Sequence, residues 1–161
     1  MNEVLQNMEA WCSSKEVCIS EAKVKMRKWN VTEVDSDKII ALLVDSGYIN
    51  EERYAKAFAN DKLILDKWGP QKVRQALKQK GIKETFISKA ISEKNINQEA
   101  VVSELLLKKI KSFKQLTDNE IYAKLMRFGL SRGFDYSLVS KYAEQIIEKL
   151  RKVKNEESEM D

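Results

Sequence analysis

Apolar residues recur every three or four positions through almost the whole chain, the period of helices with one face turned inward. Val4, Leu5, Met8, Trp11 and Cys12 predict a first helix over about 2–13. Ile19, Ala22, Met26 and Trp29 predict a second. Ile39, Ile40, Leu42 and Leu43 predict a third, with Asp35 or Ser36 as its N-cap and Gly47 as the left-handed residue that ends it. Asn50 caps a fourth helix, whose first turn carries Glu51 and Glu52, the charge the helix dipole favours there. Its inward stripe is Tyr54, Phe58, Leu63 and Leu65. Trp68-Gly69-Pro70 breaks the pattern. Pro70 lacks an N–H and suits the first position of a fifth helix, about 70–80, with Val73, Ala76 and Leu77 inward and Gly81 as its stop. Phe86, Ile87, Ala90 and Ile91 make a sixth. Asn97 caps a seventh with Val101, Val102, Leu105, Leu106 and Ile110. Thr117 and Glu120 form a capping box before an eighth with Ile121, Leu125 and Phe128. Leu138, Val139, Tyr142, Ala143, Ile146, Ile147 and Leu150 make a ninth. No alternating run is long enough for a strand, so the expected class is all-α.

The nine helices carry an internal repeat. Val73, Leu77, Gly81, Ile82, Ile87 and Ile91, shifted by 52 positions, fall on Leu125, Gly129, Gly133, Phe134, Val139 and Ala143. Shifted back by 51, the first four fall on Ala22, Met26, Asn30 and Val31. The residue at the turn is Asn, Gly or Gly, each able to take a positive φ. Beyond that turn the first copy is expected to be displaced by a short insertion, 33–36. The chain therefore reads as three tandem three-helix repeats, 1–49, 50–96 and 97–152, forming an elongated, curved helical array. Residues 153–161, with Glu156, Glu157, Glu159 and Asp161, read as an acidic C-terminal tail.

Composition narrows the chemistry. There is no histidine, which removes Ser-His-Asp, Cys-His and His-metal arrangements. Five glycines leave no phosphate-cradling loop of the GxGxxG or Walker type. Cys12 and Cys18 stand in no redox or metal spacing and read as small buried apolar residues. Glu51-Glu52 and Asp35/Asp37 are better explained by dipole and capping than by catalysis. No enzymatic activity, cofactor or metal is expected. The chain opens without a signal peptide and has no apolar run of membrane-spanning length, so a cytoplasmic protein, monomeric and without membrane contact, is expected.

The net charge of +4 permits an anionic partner without demanding one. Its distribution says more. Positions 67–83 hold six basic residues and no acidic one. Lys67, Lys72, Arg74, Lys78 and Lys80, with Trp68 beside them, form a candidate surface for protein or DNA. Lys124, Arg127 and Arg132 occupy the matching helix of the third repeat, and Lys23, Lys25, Arg27 and Lys28 that of the first. A basic ridge shared by all three repeats is the functional reading; an ordinary solvated face is the other. Trp11, Trp29 and Trp68 serve either helix packing or stacking on a partner.

Several segments resemble the bacterial regulatory protein RecX family. Residues 47–58, Gly-Tyr-Ile-Asn-Glu-Glu-Arg-Tyr-Ala-Lys-Ala-Phe, are similar to one of its signature blocks. Residues 67–82, Lys-Trp-Gly-Pro-Gln-Lys-Val-Arg-Gln-Ala-Leu-Lys-Gln-Lys-Gly-Ile, are similar to a second. Ser131-Arg132-Gly133-Phe134 looks like a third, and 11–18 is similar to the N-terminal pattern of some members. The resemblance implies three repeats of three helices and a non-enzymatic modulator of the RecA recombinase. Such proteins lie in the groove of the RecA–DNA filament, bridge protomers and suppress ATPase, strand-exchange and coprotease activities. They thereby modulate recombination, DNA repair and the SOS response, and many bind single- or double-stranded DNA. The alternative is a DNA-binding helical module, of the transcription-regulator kind, with no recombinase partner.

Overall fold

The computed structural model describes residues 1–161 and consists of helices without a strand. In chain order they are α1 (Asn2–Ser14), α2 (Ile19–Lys28), α3 (Glu33–Asp45), α4 (Glu51–Ala59), α5 (Pro70–Gln79), α6 (Glu84–Ser92), α7 (Gln98–Ile110), α8 (Asp118–Ser131) and α9 (Tyr136–Glu159). Three N-caps, Asn50, Asn97 and Thr117, are those the sequence dictates. Asn50 Oδ1 accepts from the Arg53 N–H at 2.9 Å, Asn97 Oδ1 from the Ala100 N–H at 3.1 Å. Thr117 and Glu120 exchange the two bonds of a capping box, 2.8 and 3.3 Å. None of the helices is long and apolar enough to cross a membrane.

The chain divides into two compact units. One comprises Met1–Lys62 and Arg74–Asn95, the other Leu63–Val73 and Ile96–Asp161, the boundary passing through α5 after Val73. In the first, α1 to α3 close over Met8, Val17, Ala22, Met26, Ile39 and Leu43, and α4 packs on α6. Cys12 and Cys18 are buried free thiols in this unit. Burial first, then the nearby Glu16 charge, pushes the Cys12 thiol up from its ordinary pKa. In the second, α7, α8 and α9 enclose Val102, Leu106, Leu125, Phe134, Val139 and Ala143.

Three helix-to-helix turns share one backbone device. α2 ends with Asn30 at φ 58°, α5 with Gly81 at φ 78° and α8 with Gly133 at φ 91°. At each, the N–H one residue further on reaches back over a full turn: Val31 to Met26 O (3.1 Å), Ile82 to Leu77 O (3.1 Å), Phe134 to Gly129 O (3.3 Å). The left-handed residue itself donates to Arg27 O, Lys78 O and Leu130 O. All three are Schellman caps, with an apolar residue following each turn.

The structure corrects several details. The N-cap of α3 is Thr32, whose Oγ1 accepts from the Asp35 N–H at 3.2 Å, so 33–36 is the first turn of α3 and no insertion. Asp35 and Ser36, the two expected caps, both lie inside the helix, Ser36 at 6% exposure and in register with the buried Ile87 and Val139. Leu65 is 69% exposed, because α4 passes into a π-helical stretch, Asn60–Leu65, whose wider turn rotates it off the stripe that Leu63 keeps. Leu42 and Trp29 are also exposed; Trp29 sits beyond the end of α2 as its C-cap residue. The acidic residues after 153 extend α9 as exposed helix to Glu159.

Candidate functional site

The cations singled out in the sequence separate by what they touch. Lys80, the C-cap residue of α5, donates from Nζ to Glu21 Oε1 at 3.0 Å. The same oxygen accepts the Tyr54 hydroxyl at 3.0 Å, and the Cys18 N–H donates to Oε2 at 3.4 Å. Burial disfavours the Glu21 anion, but hydrogen bonds from Lys80 and Tyr54 and the Lys80 charge outweigh it and hold the carboxyl below its usual range. The Tyr54 phenol is pushed up, chiefly by burial and then by Cys18 and Glu21 beside it.

Arg132 occupies the position of Lys80 in the later turn. Its Nη1 donates to the Asp66 carbonyl at 3.1 Å, and its guanidinium lies 5.3 Å from the Phe128 ring centre. Lys72 stands over Trp68, Nζ 4.0 Å from the ring centre, a cation–π contact on a half-buried indole. The backbone beneath is tight. The Gly69 N–H donates to Arg132 O at 2.6 Å and the Gln71 N–H to Gly133 O at 3.2 Å. A Cβ on Gly69 would overlap the Gly133 carbonyl, and one on Gly133 would overlap Lys72. The two sequence blocks at 67–82 and 131–134 thus meet backbone to backbone, and Lys72 and Arg132 hold that junction.

Arg74 and Lys78 converge on one carboxylate. Arg74 pairs with Glu84 and reaches Ser88 Oγ at 3.3 Å, while Lys78 Nζ lies 3.6 Å from Glu84. The expected run of uncompensated charge is therefore interrupted by an acid from the first turn of α6. Lys67, at φ 57°, is exposed. Lys124 and Arg127 are exposed on α8, with Lys124 5.8 Å from the Phe113 ring centre and no carboxylate bound to either.

Sequence reading passed over the lysines that join them. Lys109 stands 5.1 Å from the Phe128 ring that Arg132 also faces, and Lys108, Lys111 and Lys114 are exposed at the end of α7. The signal was present: positions 108–114 hold four lysines and no acid. These positions lie at the end of α7 and just beyond it, outside the middle helix of each repeat on which the basic ridge rests. In the first unit, Lys25 lies 4.6 Å from the Trp11 ring centre and 5.2 Å from that of Trp29, while Lys23 is paired with Asp37 at 3.3 Å.

Comparison with known proteins places this arrangement. Residues 50–91 match the model of the second three-helix domain of RecX, and 97–142 that of the third; together they cover more than half of the chain. The regulatory protein RecX of Streptococcus uberis is 30% identical over 71% of this chain and 44% of its own length. That of Clostridium botulinum (strain Eklund 17B) is 28% identical over 90% of this chain and 74% of its own. This chain spans about half the length of several such relatives. A crystal structure of regulatory protein RecX superposes with a TM-score of 0.79 at 21% identity, covering 89% of this chain and 71% of that one, which establishes the shared fold. The matched domains contain the Gly69–Gly133 junction, the caps and the α5 and α8 cations, and the chain belongs to the RecX family of regulatory proteins.

Proposed function

We propose that this chain binds the RecA nucleoprotein filament and inhibits its recombinase, ATPase and coprotease activities. The observation that carries the reading is the pair of family-model matches, supported by relatives named as regulatory proteins. In this reading the chain consists of three repeats, 1–49, 50–96 and 97–152, and lies across several protomers of the filament. The docking cations are those without a carboxylate partner, Lys67, Lys124 and Arg127, with Arg74 and Lys78 contributing in competition with Glu84. Trp68, Lys72, Lys80 and Arg132 then act by shaping the surface. Inhibition arises from tighter binding to one filament state than to another.

The test is titration into pre-formed RecA filaments on single-stranded DNA while ATP hydrolysis is followed. Lys124→Glu/Arg127→Glu should weaken inhibition by about tenfold at low salt, since attraction becomes repulsion, and leave the circular dichroism unchanged. Full inhibition by the folded double variant sinks the placement of the surface. No inhibition by the parent protein sinks the RecA reading itself. The exposed lysines at 108–114 favour a second reading, direct DNA binding without RecA. Tight binding of DNA alone, falling steeply with salt, would decide for it.

A further inference from the structure

The first unit contains a concavity of about 570 Å³ between α1, α2 and the end of α5. Its walls include Trp11, Val24, Lys15, Lys25, Lys28 and Lys80. Val24 is 49% exposed there, an apolar side chain left open on a helix that buries Ala22 and Met26. The one carboxylate on the wall, Glu21, is already bound by Lys80 and Tyr54. The other three lysines have no acidic partner in the protein. Two of them, Lys15 and Lys25, rest on Trp11, 5.1 and 4.6 Å from its ring centre.

We infer that this concavity is a docking site for an acidic peptide segment that carries one apolar side chain. The charge fixes the sign of the ligand: four ammonium groups ring the opening, and the only anion is satisfied internally. The apolar floor of Trp11 and Val24 calls for a side chain between the acids, because a purely anionic ligand would leave that surface in water. Peptide is favoured over single-stranded nucleic acid by the state of the indole. Bases bind such sites by stacking on open aromatic faces. Here ammonium groups stand over Trp11, placed to meet carboxylates, and a base would have to displace them. The inference concerns α1 and α2 and holds whichever protein supplies the segment; it does not depend on RecA being the partner.

The chain supplies a probe of the right composition. Residues 155–161, Asn-Glu-Glu-Ser-Glu-Met-Asp, hold four acids, no base and one apolar side chain, Met160, itself 84% exposed. This synthetic peptide is titrated into the full-length protein, with heat and tryptophan fluorescence as readouts. Saturable binding is expected, weakening with added salt. Lys25→Glu and, separately, Lys28→Glu should each weaken it about tenfold, as should Val24→Asp. All three positions are at least partly exposed, and circular dichroism checks that each variant is folded. Lys108→Glu, on α7 of the other unit, should bind as the parent does. A peptide with its glutamates replaced by glutamine should lose binding, and one with the methionine replaced by serine should bind about tenfold more weakly. Several results overturn the proposal. They are absence of binding, equal binding of the glutamine or serine peptide, and equal weakening by Lys108→Glu. So does an oligothymidylate that displaces the peptide at lower concentration, which would make nucleic acid the occupant.

Discussion

The turns at Gly81 and Gly133 have the same backbone and different surroundings. Both residues are left-handed, both close a Schellman cap, and both are followed by a buried apolar residue, Ile82 or Phe134. Yet a Cβ on Gly81 would meet nothing within 4 Å, whereas one on Gly133 would overlap the Cβ and backbone of Lys72. The residue just before each turn differs in the same way. Lys80 ties its helix to Glu21 through a side chain, while the carbonyl of Arg132 receives the Gly69 N–H directly. One cap, repeated, was elaborated once as a side-chain tether and once as a backbone junction. At Gly81 glycine answers only the demand of a positive φ. At Gly133 it answers that demand and a demand for space.

The largest expected effect breaks that distinction if it is wrong. Gly133→Ala combines left-handed strain with overlap of a backbone that cannot move aside, and should destabilise by roughly 3–5 kcal/mol in urea unfolding. Gly69→Ala, overlapping the same junction from the other side without a φ penalty, should cost about 2–3 kcal/mol. Gly81→Ala should cost only about 1 kcal/mol, the conformational part alone. Equal losses at Gly81 and Gly133 would show that the junction is not tight.

What the sequence made legible follows the same division. Most caps, the helices and the turn positions are readable because each depends on local chemistry: an Asn or Thr oxygen, a proline without N–H, a residue tolerant of positive φ; the α3 cap, Thr32 rather than Asp35 or Ser36, is the exception. The Gly69–Gly133 junction was not, because it joins segments more than sixty residues apart and leaves no local mark except two glycines. Leu65 was misplaced because the change from α to π bonding after Ala59 alters the rotation per residue, which no apolar spacing announces. For the basic surface, sequence gave the sign of the charge but not its compensation. Glu84 and Glu21 come from other helices, and they remove much of the free charge from Arg74, Lys78 and Lys80.

The Lys80 tether has a pH signature that the backbone junction lacks. Glu21 is held below its usual range in the folded state, so its contribution is fully present above the ordinary glutamate value and is lost as pH falls through the folded one. Glu21→Gln should therefore reduce stability by about 1 kcal/mol near neutral pH, allowing for the partial exposure of Lys80. The gap from the parent should close in acid. Taking the difference between the two proteins cancels Glu51, whose carboxyl is pushed up by burial. A gap that is constant with pH would mean that Lys80 and Tyr54 do not stabilise the anion.

The smallest effect expected is a gain, and it extends the comparison to the first turn. The shift of 51 that places Gly81 on Asn30 also places Ile87 on Ser36, and the shift of 52 places Ile87 on Val139. Ile87 and Val139 are fully buried, and Ser36 is the single buried polar residue among the core positions. Beside it lies a small crevice of about 80 Å³, lined by Val31 and by the charged residues Lys23, Arg27, Glu33 and Asp37. Its counterparts in the later turns carry methyl groups where Ser36 carries a hydroxyl. Ser36→Val adds two apolar atoms in a helix where the backbone already follows α geometry from Glu33. Burying them should contribute about 1 kcal/mol, reduced by the weaker helix propensity of a β-branched residue. A net gain of about 0.5 kcal/mol in urea unfolding is expected, of the size usual for a single stabilising substitution. A loss instead would show that the Ser36 hydroxyl supports the start of α3 in a way its later counterparts do not need. The first turn would then be a distinct structure that shares only its cap with the other two.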